Sequence, residues 1–362
     1  MEPVLSRFGE QVAGARAAGR KLVIRGGGTR LFYGEPLPED DSFEWLDLSA
    51  YRGVVAYEPS ELVLTARAGT PLAEIEALLD REGQMLAFEP PRFGAGDTLG
   101  GCIATGLAGP RRLAAGPVSD YVLGTRLMRG DGEVMHFGGE VMKNVAGYDL
   151  SRLLVGSLGV LGPVLEVSLK VMPKPRSEVT LVLALDEAEA LRRCVQWRSQ
   201  PIPVSATAWL PDGSGGQLSV RLSGNASAVR EGVEKLGGGV LDAATACAFW
   251  LGLRDQTHDF FNQRPLWRVT LPPGAPSLGI GRELHEWQGC LRWLTGMHAP
   301  DALRAKVRKL GGWASRYRHD GTSDASPVFH PPAPAVIRVQ QRLKQQLDPD
   351  GVFSPHRLYP DF

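Results

Sequence analysis

The residues best suited to chemistry are Arg25-Gly26-Gly27-Gly28-Thr29-Arg30, which directly follow the apolar run Leu22-Val23-Ile24. A buried strand running into three glycines ends in a turn whose amides have no side-chain cover. Glycine there admits positive φ and close approach of a ligand. Successive bare N–H groups in such a turn form a concavity that suits an anion, most often a phosphate. Thr29 adds a hydroxyl donor, and Arg25 and Arg30 add positive charge. On this reading a side chain at Gly27 would intrude where the amides meet the anion. A hairpin turn needing glycine for geometry alone would use the same residues, so this stretch by itself leaves both readings open.

Two further glycine clusters follow. The first, Phe93 to Gly106, carries Gly94, Gly96, Gly100, Gly101 and Gly106 together with Asp97, Thr98, Leu99 and Ala104. Something flat or large must press on this backbone, either another chain segment or a cofactor. The second, Leu153 to Val164, has Gly156, Gly159 and Gly162 three residues apart, with Leu161 between the last two, and enters the alternating strand from Val164 to Val171. That spacing is not G-x-G-x-x-G after a strand, and no G-x-x-x-x-G-K occurs, which argues against a Rossmann dinucleotide site and a P-loop. A long cofactor lying across one domain would use all three clusters together. Composition and spacing do not name it.

Other reactive residues are sparse. Cys102, Cys194, Cys247 and Cys290 form no C-x-x-C pair, so no iron–sulfur or zinc motif is encoded and free thiols are expected. The seven histidines, at 136, 258, 285, 298, 319, 330 and 356, show no metal-ligand spacing, and no metal is expected. Arg264, Arg268 and Arg292 have the fork geometry for a carboxylate, but structural ion pairs explain them as well. Lys+Arg and Asp+Glu both total 40. A balance this even gives no reason to expect nucleic acid or an anionic membrane surface as partner. The start, Met1-Glu2-Pro3-Val4, has no basic stretch before an apolar core, so no signal peptide is expected. No apolar run approaches the roughly 20 residues that span a bilayer.

The elements that position these residues follow from periodicity. Val4, Leu5, Phe8, Val12 and Ala15 predict a helix over 3–19 ahead of the glycine strand. Residues 45–48 and 61–66 read as strands. Thr70 and Pro71 read as N-cap and first position of a helix whose buried stripe is Leu72, Ile75, Leu78 and Leu79, ended by Gly83. Beyond Pro173-Lys174-Pro175, strands are expected at 179–183, 206–210, 218–222, 267–271 and 290–294. Helices are expected at 187–199, 226–235 and 302–310. That linker divides the chain into 1–173 and an α+β region over 176–330.

The order of these stretches resembles the FAD-binding domains of the vanillyl-alcohol-oxidase (PCMH) type, with R-G-G-G-T, then T-L-G-G, then G-S-L-G-x-L-G before a strand. Asp120-Tyr121-Val122-Leu123-Gly124 and Lys143-Asn144-Val145-Ala146-Gly147-Tyr148-Asp149-Leu150 are similar to elements of the 2-hydroxyacid dehydrogenase branch. Phe32-Tyr33-Gly34, Leu266-Trp267-Arg268 and the Asp348–Phe362 ending are similar to the FAD-binding subunits of bacterial glycolate oxidases, with Ser354 and His356 departing from the usual Asn and Gly. The resemblance implies an α+β fold with a two-lobed FAD domain, a smaller cap over 176–330, and a C-terminal segment 331–362 returning to the FAD domain. FAD would be bound by Arg25, Gly26, Gly27, Gly28, Thr29, Arg30, Asp97, Thr98, Leu99, Gly100, Gly101 and Ala104. Gly159, Leu161, Gly162 and Val164 would lie toward the adenosine end. With no histidine beside the glycine loop, FAD is expected to be non-covalent. The implied partners are a catalytic FAD subunit and an iron–sulfur subunit of a glycolate oxidase. The protein would be cytoplasmic, touching the membrane only peripherally through them. The H-x-G-D-G-N-x-H element of the catalytic dehydrogenases is missing, so no catalytic residue is assigned. A self-sufficient 2-hydroxyacid dehydrogenase and an assembly subunit without flavin are the rival readings.

Overall fold

The computed structural model describes residues 3–37, 42–139, 149–213, 215–319, 326–360 and 362. Of the hydroxyacid-dehydrogenase element at 143–150, residues 143–148 lie outside the described residues.

The chain opens with the helix Pro3–Ala17, which buries Leu5, Phe8, Val12 and Ala15. Strand Lys21–Arg25 follows and pairs in parallel with Phe43–Asp47. A five-stranded antiparallel sheet stands beside this pair, in the order Val54–Glu58, Val63–Arg67, Val164–Lys170, Val122–Met128, Val134–Gly138. The helix Leu72–Arg81 lays Leu72, Ile75 and Leu79 into the same core as Leu64, Val167 and Leu169. Burying such side chains contributes roughly 1.5–3 kcal/mol each. The helix ends at Gly83, whose φ of +62° takes the left-handed conformation.

Its start differs from the expected one. Pro71 is the N-cap and Thr70 caps nothing. The Thr70 hydroxyl instead donates to Arg67 O (2.7 Å) and accepts from Gly53 N (2.9 Å), because the preceding turn at Gly53 presents an amide closer than the helix does.

The second part is built on an eight-stranded sheet with antiparallel pairing: Gly239–Val240, Ser177–Ala184, Gln217–Gly224, Val204–Leu210, Arg282–Glu286, Leu291–Thr295, Leu266–Thr270, Trp313–Arg318. Helices Glu187–Arg198 and Ala226–Leu236 contribute Ala190, Cys194, Trp197, Val229 and Leu236 to a core shared with Leu181, Val220 and Leu222. Between the two parts lies an aromatic seam. Phe32 and Tyr33 each pack on Tyr317, at 5.6 and 5.3 Å between ring centroids, and Tyr317 packs on Trp293 at 4.8 Å.

The chain then returns. After helix Pro334–Leu347, the Asp348 carboxylate accepts from the amides of Val352 and Phe353, both at 2.8 Å. This turn lays residues 352–354 along the glycine strand: Leu22 N donates to Val352 O (2.8 Å) and Ser354 N donates to Leu22 O (2.7 Å).

Candidate cofactor cleft

The strand Lys21–Arg25 delivers the glycine turn into a cleft that runs in two connected sections. One is walled by Gly26, Gly27, Gly28, Thr29, Arg30, Tyr33, Thr105, Leu158, Ser354 and Arg357 among others. The other is walled by Leu48, Ala68, Gly100, Ser157, Gly159, Gly162 and Val164. Ile24, Arg25, Gly26, Thr98, Gly101 and Ala104 border both sections. The structure thus brings residues of all three glycine clusters to one surface. Asp97, Leu99 and Leu161 do not border it. Leu99 and Leu161 are buried in the core beneath.

Asp97 sits directly behind the turn. Its carboxylate accepts from Thr29 Oγ1, from Phe93 N (2.6 Å) and from Arg30 Nη2 (3.2 Å). Arg30 also donates to Pro91 O (2.5 Å) and packs on the Phe93 ring at 5.0 Å. Arg30 is only 7% exposed, and its Nε and Nη1 have no hydrogen-bond partner. A buried cation with unused donors in a cleft wall carries a desolvation cost that an anion would offset. Among the described residues, no backbone carbonyl takes up the amides of Gly27, Gly28 or Thr29. These amides lie free in the cleft wall beside the buried Arg30, and a row of free N–H donors next to a cation fits a phosphate group. At the edge, Arg25 Nε donates to the Asp47 carboxylate at 2.8 Å.

The glycines serve packing as well as approach. A Cβ on Gly27 would lie 1.8 Å from Gly96 O, so the first two glycine clusters are pressed backbone to backbone. The neighbouring loop alone therefore suffices to demand glycine at 27. A Cβ on Gly26 would meet Thr98 Oγ1 at 2.3 Å, and one on Gly100 would meet Ala68 Cβ at 2.8 Å. Within the second glycine cluster, Leu99–Thr105 is helical, with the Thr98 hydroxyl accepting from Gly101 N at 3.3 Å. Gly100 and Gly101 let that helix settle on its neighbours, a packing need that outweighs their poor helix propensity.

Among the described residues, no histidine borders the cleft. His136 is exposed on strand Val134–Gly138, and His258 and His330 accept backbone amides, from Phe260 and Ala314. His285 lies between two carboxylates, with Nε2 3.0 Å from Glu283 and 3.4 Å from Glu187, a grouping concealed in the sequence because Glu187 lies far from the other two. Of the three arginines singled out by type, Arg292 is fully buried and donates to the carbonyls of Gly289, Pro276 and Ala275, and Arg264 donates to those of Phe261 and Gln263. These two hold backbone, whereas Arg268 packs on the Trp287 ring at 5.3 Å.

Sequence reasoning did not mark Tyr33, Thr105, Leu158, Ser354 or Arg357 as cleft residues. The available signals were that Tyr33, Ser354 and Arg357 fall inside segments resembling the flavin subunits, and that Thr105 and Leu158 fall inside the second and third glycine clusters.

Comparison with known proteins agrees with this geometry. Residues 10–138 match the FAD binding domain family. The glycolate oxidase subunit GlcE of Escherichia coli (strain K12) is 44% identical over 97% of this chain and 96% of that protein. The glycolate oxidase subunit GlcD of Bacillus subtilis (strain 168) is 31% identical over 48% of this chain and 36% of its own length. D-lactate dehydrogenase of Archaeoglobus fulgidus is 31% identical over 48% of this chain and 38% of its own. In structure, an alkyldihydroxyacetonephosphate synthase superposes with a TM-score of 0.67 at 17% identity, over 95% of this chain and 73% of that one. Fold and family define a flavin oxidoreductase type with a PCMH-like FAD domain and an α+β cap. Within it, the chain belongs to the family of the glycolate oxidase subunit GlcE.

Proposed function

We propose that this chain is the FAD-binding subunit of a glycolate oxidase, holding FAD non-covalently and working with a catalytic flavoprotein subunit and an iron–sulfur subunit. The observation that carries the reading is the cleft itself. Its walls combine unpaired amides at Gly27–Thr29, a buried Arg30 with unused donors, and glycines from three clusters. Arg30 and the amides would bind the pyrophosphate, and Gly159, Gly162 and Val164 would line the other section. Bound FAD supplies a two-electron acceptor. Cys102, beside the cleft, is pushed up to about 11 by burial, so it stays a thiol and is no nucleophile for attachment.

The described cleft walls contain no residue from the cap sheet. Oxidising a 2-hydroxyacid needs a base within roughly 2.6–3.2 Å of the hydroxyl proton, and such help typically contributes about 10²–10⁴-fold. With no histidine among the described cleft residues and no histidine-rich element in the sequence of the cap, the chain by itself reads as an accessory flavin subunit. The test is to purify the flavin-loaded chain and assay glycolate and D-lactate with a dye acceptor, then add the partner subunits. Turnover appearing only in the complex supports the proposal. Equal turnover by the lone chain refutes it in favour of a self-sufficient dehydrogenase.

A further inference from the structure

The histidines show no metal-ligand spacing along the chain, but the fold brings His285 neighbours from elsewhere. Alternation along strand Arg282–Glu286 puts Glu283 and His285 on one face of the second sheet. That face meets the helix Glu187–Arg198, whose first residue is Glu187. His285 is 2% exposed, and its Nε2 stands 3.0 Å from Glu283 Oε2 and 3.4 Å from Glu187 Oε1. The three donor atoms all lie within 4.8 Å of one another. Glu286, next along the strand, faces the other way, to Trp293 and the aromatic seam. None of the three borders the cofactor cleft, so this grouping stands apart from the flavin reading.

One proton does not serve the arrangement. A hydrogen on Nε2 reaches Glu283, while Glu187 Oε1 is buried with no hydrogen-bond partner. A buried oxygen left in that state costs free energy. Arg292 does not supply the missing partner: it donates to the carbonyls of Gly289, Pro276 and Ala275, and its Nη1 is 4.0 Å from Glu283. A divalent ion would meet all three donors at once. Zinc bonds of about 2.0–2.2 Å to imidazole nitrogen and carboxylate oxygen set neighbouring donors roughly 3.3–3.6 Å apart at tetrahedral angles. The two spacings around Nε2 are close to this. Ser277 Oγ donates to Glu187 Oε2 at 2.8 Å, an outer contact of the kind that orients a metal ligand. The Glu187 side chain is 26% exposed, which leaves an entry path and room for a water as fourth ligand.

We propose that Glu187, Glu283 and His285 form a structural site for a divalent transition-metal ion of the zinc type, which ties the start of helix Glu187–Arg198 to the sheet. An imidazole with two carboxylates selects Zn2+, or Co2+ in its place, over Mg2+ and Ca2+, which favour oxygen ligands alone.

The test uses the full chain, stripped of metal by a chelator. Zn2+ binding is measured by equilibrium dialysis and Co2+ binding by visible absorption. The expected result is a single tight ion per chain, the d–d bands of four-coordinate Co2+, and a melting temperature that rises with Zn2+. Glu187→Gln and His285→Asn should each weaken Zn2+ by about 100-fold or more, and Ser277→Ala by about tenfold, since outer-shell changes typically cost 10–100-fold. Wild-type Zn2+ affinity in folded E187Q and H285N overturns the proposal, because the ion then sits elsewhere, as at the exposed Cys247. Tighter binding of Mg2+ or Ca2+ than of Zn2+ overturns it too, as does a wild-type chain that retains no Zn2+ and shows no Co2+ bands. Should H285N not fold, E187Q decides alone, since Glu187 is the part-exposed member: lost Zn2+ affinity supports the proposal, and wild-type affinity overturns it.

Discussion

Gly27 and Gly96 face each other across the first two glycine clusters, and the structure makes their tolerances opposite. A Cβ on Gly27 would lie 1.8 Å from Gly96 O, 2.6 Å from Gly96 C and 3.0 Å from Gly96 Cα. All three are backbone atoms, so no rotamer change relieves the clash and the loops must part. A Cβ on Gly96 would meet Gly27 O at 3.5 Å and Gly27 Cα at 3.6 Å, ordinary contact distances. Overpacking of this kind costs about 1–3 kcal/mol. Parting the loops also moves the Gly27–Thr29 amides, and each bond lost to a charged group is worth about 1.5–3 kcal/mol. With 1.4 kcal/mol per tenfold, Gly27→Ala should weaken FAD by about 10- to 10³-fold. Gly96→Ala should be neutral or gain up to about 1 kcal/mol from the less flexible unfolded chain. The assay is FAD titration by flavin fluorescence quenching, with thermal melts of each variant with and without FAD. Wild-type affinity in G27A, or equal losses in G27A and G96A, would show that the loops are not locked as described.

Acid precipitation should release all flavin into the supernatant, and fluorescence that stays with the denatured chain on a gel would contradict non-covalent binding. Gly162→Ala should destabilise the fold with or without FAD, because its φ of +132° is strained for alanine and the Cβ would lie 2.4 Å from Met128 O; unchanged melting would refute this. Glu286 is raised to about 7, chiefly by burial, with Trp293 Nε1 donating at 2.7 Å and Arg268 opposing the shift. Its folded form holds a proton that the unfolded chain has released, so its contribution to stability falls as pH rises from about 4.5 to about 7. Glu286→Gln keeps the acceptor for Trp293 and should melt higher relative to wild type at pH 8 than at pH 5, and a pH-independent difference between the two proteins would refute the assignment.

Local periodicity was enough to read the glycine strand, the Leu72–Leu79 stripe and most helices of the second part. Other elements were hidden by their composition. Strand Arg282–Glu286 buries Glu283, His285 and Glu286, so its sequence looks like a polar loop. Helix Leu99–Thr105 contains two adjacent glycines, and only its contact with Ala68 explains why they are tolerated. The need for glycine at 27 was legible, but its cause was not, since Gly96 lies 69 positions along the chain. The roles of Ser354 and Arg357 had no local signal, because their partners are about 330 residues away in sequence.

That separation has a consequence for how the protein is made. Strand Lys21–Arg25 leaves the ribosome early, but its neighbour at 352–354 is synthesised some 330 residues later. Until then Leu22 N and Leu22 O lack their partners at Val352 and Ser354, and one wall of the cleft does not exist. The nascent chain therefore cannot present a finished cleft while translation is under way. Prematurely terminated chains, however well the five-stranded sheet forms, would reach the cell's proteases without this closure.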